Sequence, residues 1–326
     1  MQIYSDKGLF IGNIAVDPGR ASLERPNILT HGHADHVSLN GGSSYICTPK
    51  TRAIVESRFG KINDCTELRF REKLSLGNAT VSLHNSGHIL GSAQVLVEGN
   101  QRVAVTSDFK MQDSLIQKGA DALPCDILVI ESTFGLPCFS FPEREQLYSE
   151  IGSWIKSQAE KGFVVLAGYS LGKAQELTAI SNKYAGISPL VHESIFKNNE
   201  VYRQHGVSLG KYIELNHNLG ESSVLIMPPS LLNNHLLQFL ELSLKKKVSS
   251  ALATGWAFRR GYDRLFPLSD HADFNQLMQY VKQAEPKLVL TMHGSERELA
   301  SYIQRRLGIV AKPLGMHEQK TLTEFA

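Results

Sequence analysis

Apolar positions in the first 130 residues come in short blocks punctuated by glycine, asparagine and proline. Ile28-Leu29-Thr30 runs into a polar loop, Ala79 to His84 alternates, and Gln94 to Glu98 and Arg102 to Thr106 flank Gly99-Asn100. Strand, tight turn, strand predicts a hairpin. Ile127 to Ile130 is apolar throughout, as in a strand covered on both faces. From about residue 143 the pattern changes. Helical spacing over Glu143 to Lys161 and Gly172 to Tyr184 brackets a strand over Phe163 to Ala167. After Asp270 the spacing predicts a helix over Phe274 to Gln283, a strand over Lys287 to Met292 and a helix over Glu296 to Arg306. Alternation of this kind predicts a small parallel-sheet unit.

Composition narrows the class. Of 326 residues, 42% are hydrophobic and 20% charged, enough for a sizeable core and one large or two ordinary domains. A net charge of +2 from 34 basic and 32 acidic residues names no polyanionic partner, so any affinity for one must come from a local patch. No apolar run approaches the ~20 residues of a membrane helix, and no basic-then-apolar leader opens the chain. Cys47, Cys65, Cys125 and Cys138 share no C-x-x-C spacing, so neither a disulfide framework nor a zinc ribbon is expected. The expectation is a soluble, reducing, cytoplasmic protein without a membrane partner. There is no internal repeat, and Lys245-Lys246-Lys247 is the one run of like charge.

The chemistry concentrates in Thr30-His31-Gly32-His33-Ala34-Asp35-His36, where four ligand-type side chains follow an apolar strand. Alternate residues of an extended turn point the same way, so His31 and His33 can grip one ion while Asp35 and His36 face a second position. Imidazole with carboxylate is the donor set of zinc in hydrolytic sites. Ser86-Gly87-His88 adds a histidine after one strand, and Thr106-Ser107-Asp108 an aspartate at the end of another. A carboxylate there is placed to bridge two ions.

Asp17 in Val16-Asp17-Pro18-Gly19, then His31-x-His33-x-Asp35-His36, His88 and Asp108, resembles the ordered motifs of the metallo-β-lactamase fold over residues 1 to about 110. Glu131-Ser132-Thr133-Phe134-Gly135, Ser269-Asp270-His271-Ala272-Asp273 and Met292-His293-Gly294-Ser295 look like motifs A, B and C of the β-CASP nucleases. A histidine in the third motif is typical of RNA-processing members, whereas the eukaryotic DNA cross-link repair branch carries an apolar residue there. Gly168 to Leu177 and Gly255 to Asp273 look like the DNA ligase-associated exonucleases of bacteria and archaea, a group close to messenger-RNA 3′-end processing factors.

The resemblance implies an α/β (α+β) fold, a four-layer αββα sandwich formed by residues 1–140 and 265–326, with an α/β cap inserted at 141–264. It implies two zinc ions per chain, with manganese as an alternative. His31, His33, His88 and Asp108 would hold one ion, and Asp35, His36, Asp108 and His293 the other, with Asp17 supporting the ligand loop from behind. His271 is then left as proton donor, oriented by Glu131, so His271, Glu131 and Asp35 form the catalytic set. Backbone amides over 168–173, with Ser170, Gly172 and Lys173, would complete an anion site. Trp256, Arg259 and Arg260 lie in an aromatic and basic stretch suited to phosphates and stacked bases.

The implied activity is a zinc-dependent nuclease, a DNA exonuclease acting on single strands or ends in repair, with a DNA ligase or helicase as partner. An RNA-processing nuclease and a small-molecule hydrolase such as a thioesterase or lactonase are the alternatives. A non-catalytic binding platform would be expected to have lost ligands, and none is missing. His84, His192, His205, His217, His235 and His317 have no motif context.

Overall fold

The computed structural model describes residues 2–215, 219–256 and 261–315. Three short strands, β1 (Ile3–Ser5), β2 (Leu9–Ile11) and β3 (Ile14–Val16), form an antiparallel meander. Three more, β4 (Asn27–Ile28), β5 (Tyr45–Cys47) and β6 (Cys65–Glu67), extend it in parallel into a six-stranded sheet. Helix α1 (Pro49–Phe59) links β5 to β6; proline sits in its first turn and the Thr48 side chain accepts from the Thr51 amide, which fixes its start.

The chain then builds β7 (Lys73–Leu76), β8 (Ala79–Asn85), β9 (Ala93–Glu98) and β10 (Arg102–Val105) as an antiparallel run, with β11 (Ile127–Ser132) parallel to β10. A third sheet follows. Helix α2 (Arg144–Ala159) precedes β12 (Gly162–Ala167), α3 (Lys173–Ile180), β13 (Leu190–Val191), α4 (Glu193–Gln204), β14 (Ile213–Glu214), β15 (Val224–Met227), α5 (Asn234–Leu244), β16 (Lys247–Ala253) and β17 (Arg264–Phe266). Its six strands are all parallel, in the order β14-β13-β15-β12-β16-β17. The chain returns through α6 (Phe274–Ala284), β18 (Leu288–Gly294), α7 (Glu296–Leu307) and β19 (Val310–Pro313), whose strands add to the second sheet beside β11.

Strand alternation explains the layering. Ile127 and Val129 of β11 join Ile11, Ile28 and Ile46 in the core between the first two sheets, whereas Leu128 and Ile130 face Leu277, Val281 and Ile303 of α6 and α7. On the outer side of the first sheet, Tyr45 and Cys47 meet Val55 of α1. In β12, Val164 and Leu166 pack on α2 and α3 while Phe163 and Val165 pack toward Leu240 of α5. Strands covered on both faces need continuous apolar sequence, and 127–130 and 163–167 have it. Among the described residues no helix is long and apolar enough to cross a membrane.

Candidate metal centre

His31, His33, Asp35 and His36 leave β4 on a loop that tolerates only glycine at its second position, because a Cβ on Gly32 would lie 2.3 Å from Ile54 of α1. Arg58, near the end of α1, donates to the Gly32 carbonyl. His88 stands in the tight loop between β8 and β9, and Asp108 follows β10, so strand ends from both sheets converge.

Each imidazole is tethered through one ring nitrogen. His31 Nδ1 lies 3.0 Å from Thr30 Oγ1, His33 Nε2 3.3 Å from the Leu171 carbonyl, His36 Nδ1 2.9 Å from Asp17 and His88 Nδ1 3.0 Å from the Asp270 carbonyl. The other nitrogens face a common space. Nε2 of His31, His36 and His88 approach the same Asp108 oxygen at 3.4, 3.5 and 3.6 Å, and His33 Nδ1 is 3.0 Å from His88 Nε2. Ligand-type atoms of His31, His33, His88 and Asp108 all lie within 4.8 Å of one another. Asp17, at φ +44°, accepts from the Thr30 amide at 2.8 Å and hydroxyl at 2.5 Å as well as from His36, so its carboxylate is already engaged.

Two observations fit these side chains to a metal. His31 Nε2 is buried without a hydrogen-bond partner, a costly state unless an electrophile takes its lone pair. Burial lowers the pKa of His31, His33 and His88, that of His33 to about 3, so all three are neutral imidazoles as metal ligation requires. His36 behaves oppositely: burial is outweighed by the Asp108 and Asp17 carboxylates, which lift it to about 10. Burial alone would raise Asp108, but His271, His36 and His31 hold it well below the usual carboxylate range. The fixed charges of the site favour a cation.

Asp35 and His293 are drawn in less tightly. The Asp35 side chain is 80% exposed with its carboxylate 3.6 Å from His36 Nε2. His293, at φ +59° near the end of β18, is exposed with its ring 6.2 Å from that of His36. Both line the same cleft of about 890 Å³ as the buried cluster.

Beside the cluster, His271 Nδ1 lies 2.9 and 3.2 Å from the two oxygens of Glu131. Glu131 is almost wholly buried and also accepts from the Phe109 amide at 2.8 Å and the Thr133 hydroxyl at 2.5 Å, which fixes the carboxylate. Burial would lower His271, but Glu131 and Asp108 raise it to about 9. Its ring lies 4.7 Å from that of His88, and its Nε2 is the nitrogen not tied to Glu131.

The anion site expected over 168–173 needs correction. Lys173 is buried, and its ammonium donates to Asp270 and to the Leu268 carbonyl, both at 2.9 Å, so its charge is neutralised within the protein. The Gly172 amide donates to the Gln175 side chain at 2.6 Å, and the Ser170 carbonyl accepts from Gln175 and Asn198. Tyr169, Ser170, Leu171 and Lys173 of this turn all line the cleft, and Tyr169, 52% exposed, is the most open of them. Trp256 lines the cleft, 43% exposed, with its ring 4.8 Å from that of Phe134. Arg259 and Arg260 lie outside the described residues.

Several working residues carried no readable signal. Arg58 lies on a helix far from any motif, and the Leu171 carbonyl belongs to a residue chosen for packing. Asp273 had one: as the last residue of the second rear motif, just before a helix, it has the look of an N-cap. Its side chain accepts from the Gln276 amide at 2.9 Å and the Phe141 amide at 3.0 Å.

A scaffold of two facing sheets with strand-end histidines and a shared aspartate defines the class, a metallo-hydrolase centre. Residues 265–312 match the family described as the Zn-dependent metallo-hydrolase RNA specificity domain. The chain is 31% identical over 318 residues to a probable DNA ligase from Opitutus terrae, spanning 92% of this chain and 30% of the ligase. It is 23% identical over 286 residues to an RNase J-like protein from Methanocaldococcus jannaschii, spanning 72% of this chain and 68% of that one. A crystal structure of an Enterococcus faecalis protein of unknown function superposes with a TM-score of 0.55 at 14% identity, covering 82% of this chain and 75% of the other, a likeness of fold alone. The chain belongs to the β-CASP metallo-β-lactamase nuclease family.

Proposed function

We propose that the protein is a zinc-dependent phosphodiesterase acting on nucleic acid, first of all a DNA exonuclease working on single strands or ends in repair. The observation that carries this reading is the convergence of His31, His33, His88 and Asp108 within 4.8 Å beside the His271–Glu131 pair. The fold then reads as the four-layer αββα sandwich of 1–140 and 265–326 with the cap at 141–264.

His31, His33, His88 and Asp108 would hold one zinc, and Asp35, His36, Asp108 and His293 a second, manganese being an alternative. Such ions, when bound, supply a water deprotonated near neutral pH and a positive field at the phosphate. The protein supplies the rest. Thr30, Asp17, Leu171 and Asp270 fix the imidazole orientations, which sets where lone pairs point before anything binds. Glu131 holds His271 with Nδ1 protonated and stabilises its cationic form, so Nε2 can hand a proton to the departing oxygen. Asp35, exposed on the cleft side of His36, would hold the second ion at the face where water and substrate enter. Tyr169 and Trp256 offer faces on which unpaired bases can stack.

The relative covering 92% of this chain is called a probable DNA ligase, which supports DNA as substrate and a ligase or helicase of repair as partner. RNA is the second reading, supported by the match of residues 265–312 to a domain described by RNA specificity. The test is single-stranded DNA and RNA of one sequence, labelled at either end, incubated with zinc or manganese and resolved by length. Mononucleotide release from DNA is the expected outcome. Cleavage of RNA alone would select the second reading, and cleavage of neither, with turnover of a thioester or lactone, would contradict both.

A further inference from the structure

The fold brings two thiols together that the sequence keeps 18 positions apart. Cys47 ends β5 and Cys65 begins β6, parallel neighbours in which Tyr45 is the register partner of Cys65. Cys47, two positions beyond Tyr45 and therefore on the same face, looks diagonally across at Cys65, with the sulfurs 3.4 Å apart. Cys47 is fully buried against Val55 and Ile62 under α1, while Cys65 packs at the edge of that cluster and is partly open to solvent. The two sulfurs share a hydrogen bond that lowers the Cys65 pKa and, with burial, raises that of Cys47; the Arg52 guanidinium, anchored to Glu56 and Glu67 at 3.0 Å each, further favours thiolate at Cys65. One partly exposed nucleophilic sulfur backed by one protected thiol is the arrangement of an attacking and a resolving cysteine.

We propose that Cys47 and Cys65 form a peroxide-responsive dithiol that closes reversibly to an intramolecular disulfide. The Cys65 thiolate attacks one oxygen of hydrogen peroxide, the O–O bond breaks and hydroxide leaves, giving a sulfenic acid. Cys47 sulfur then attacks the Cys65 sulfur, its proton goes to the departing hydroxyl, and water leaves. Two thiols are oxidised by two electrons and one peroxide is reduced to two waters. Closure to a sulfur–sulfur bond of about 2.0 Å needs an approach of about 1.4 Å, within the reach of side-chain rotation.

The bond would form where it matters to the site. Cys47 is followed by Thr48, and the Thr48 and Thr51 hydroxyls both donate to the Gly91 carbonyl at 2.8 Å, in the loop that carries His88. The same helix carries Ile54 against Gly32 and Arg58 to the Gly32 carbonyl. A disulfide pins the base of the helix that braces both histidine loops. Cys125 is buried and pushed up to about 12 by that burial, and Cys138 is exposed, so the remaining thiols serve as internal references.

The test treats the full chain with equimolar hydrogen peroxide, blocks remaining thiols with N-ethylmaleimide, and reads intact mass and tryptic peptides. The expected result is a loss of about 2 Da before blocking, a cross-link joining the peptides of Cys47 and Cys65, and return to the starting mass with dithiothreitol. The oxidised form should melt several degrees above the reduced one. Cys65→Ser, a mild change at a partly exposed position, should retain the fold and lose the cross-link. Peroxide treatment that leaves both cysteines open to the blocking reagent in the unfolded chain would overturn the proposal. So would stable addition of about 16 or 32 Da at Cys65, or equal melting temperatures of the two forms.

Discussion

Three imidazole nitrogens approach one oxygen of Asp108 at 3.4 to 3.6 Å, and no other carboxylate in the described site is shared so widely. Asp108→Ala should therefore remove bound metal and reduce cleavage to a few per cent or less. Melting temperature measured without metal should also fall, because Asp108 supports the cationic forms of both His36 and His271. Metal content by atomic spectroscopy alongside turnover checks this, and a variant that keeps both would contradict the shared role. At this scale the sequence was most legible. Four ligand-type side chains in six positions after an apolar strand is a dense local signal; His31 and His33 fall in one buried cluster with His88 and Asp108, and His33, Asp35 and His36 line the cleft. Lys173 was misread for the complementary reason. A lysine at a glycine-rich helix start looks like an anion contact, and nothing local shows that Asp270, 97 positions later, comes back to meet it.

Helix α3 is held to the segment before α6 by that buried pair, with Arg144 donating to Glu176 and to the Ser269 carbonyl and Lys110 buried close by. Losing one partner of a buried pair strands the other, typically at about 3–5 kcal/mol. Lys173→Ala should therefore lower stability in urea unfolding on that order, and its KM for nucleic acid should rise no more than its kcat falls. A selective rise in KM with unchanged stability would restore the phosphate-binding role. The acid limb follows from Asp270. Burial would raise its carboxyl, but Lys173, Lys110 and Arg144 depress it to about 2. A depressed carboxyl stabilises the fold above its unfolded value of about 3.9, and that contribution fades as pH falls through about 2. Asp270→Asn should lower stability at neutral pH and flatten its decline between those values, which urea titrations across acid pH would measure; an unchanged slope would count against the pair. Elements were readable in part. The 79–84 strand, the 94–106 hairpin and the helices near 143, 274 and 296 repeat their period, whereas the helix expected over 172–184 ends at Ile180 as α3, and α4, α5 and β16, of 12, 11 and 7 residues, have no counterpart in the sequence reading. The two- and three-residue strands of the first sheet contain too few positions to show alternation, and β19 is read only once β18 is beside it.

On the scale of the whole molecule, the centre lies where loops of two sheets meet segments bordering a third, so its parts come from residues 17 to 293 in sequence. Order and spacing of motifs made the family legible, because each motif follows a strand whose end must reach the same cleft. Burial at the junction, the Cys47–Cys65 contact and the place of Tyr169 in the cleft were not legible, since each depends on which surfaces the sheets present to one another. A ligand that binds only the assembled centre adds stability by mass action. Melting temperature should rise with free zinc and fall with a chelator in the wild type, but not in His88→Ala; a shift of equal size in both would move the metal elsewhere. The central claim is the division between histidines that hold metal and one that moves a proton. Zinc content and cleavage rate measured together in His271→Ala test it most directly. The account predicts wild-type zinc per chain with cleavage slowed about 10²–10⁴-fold; zinc lost along with His271, or full activity without it, would contradict the account.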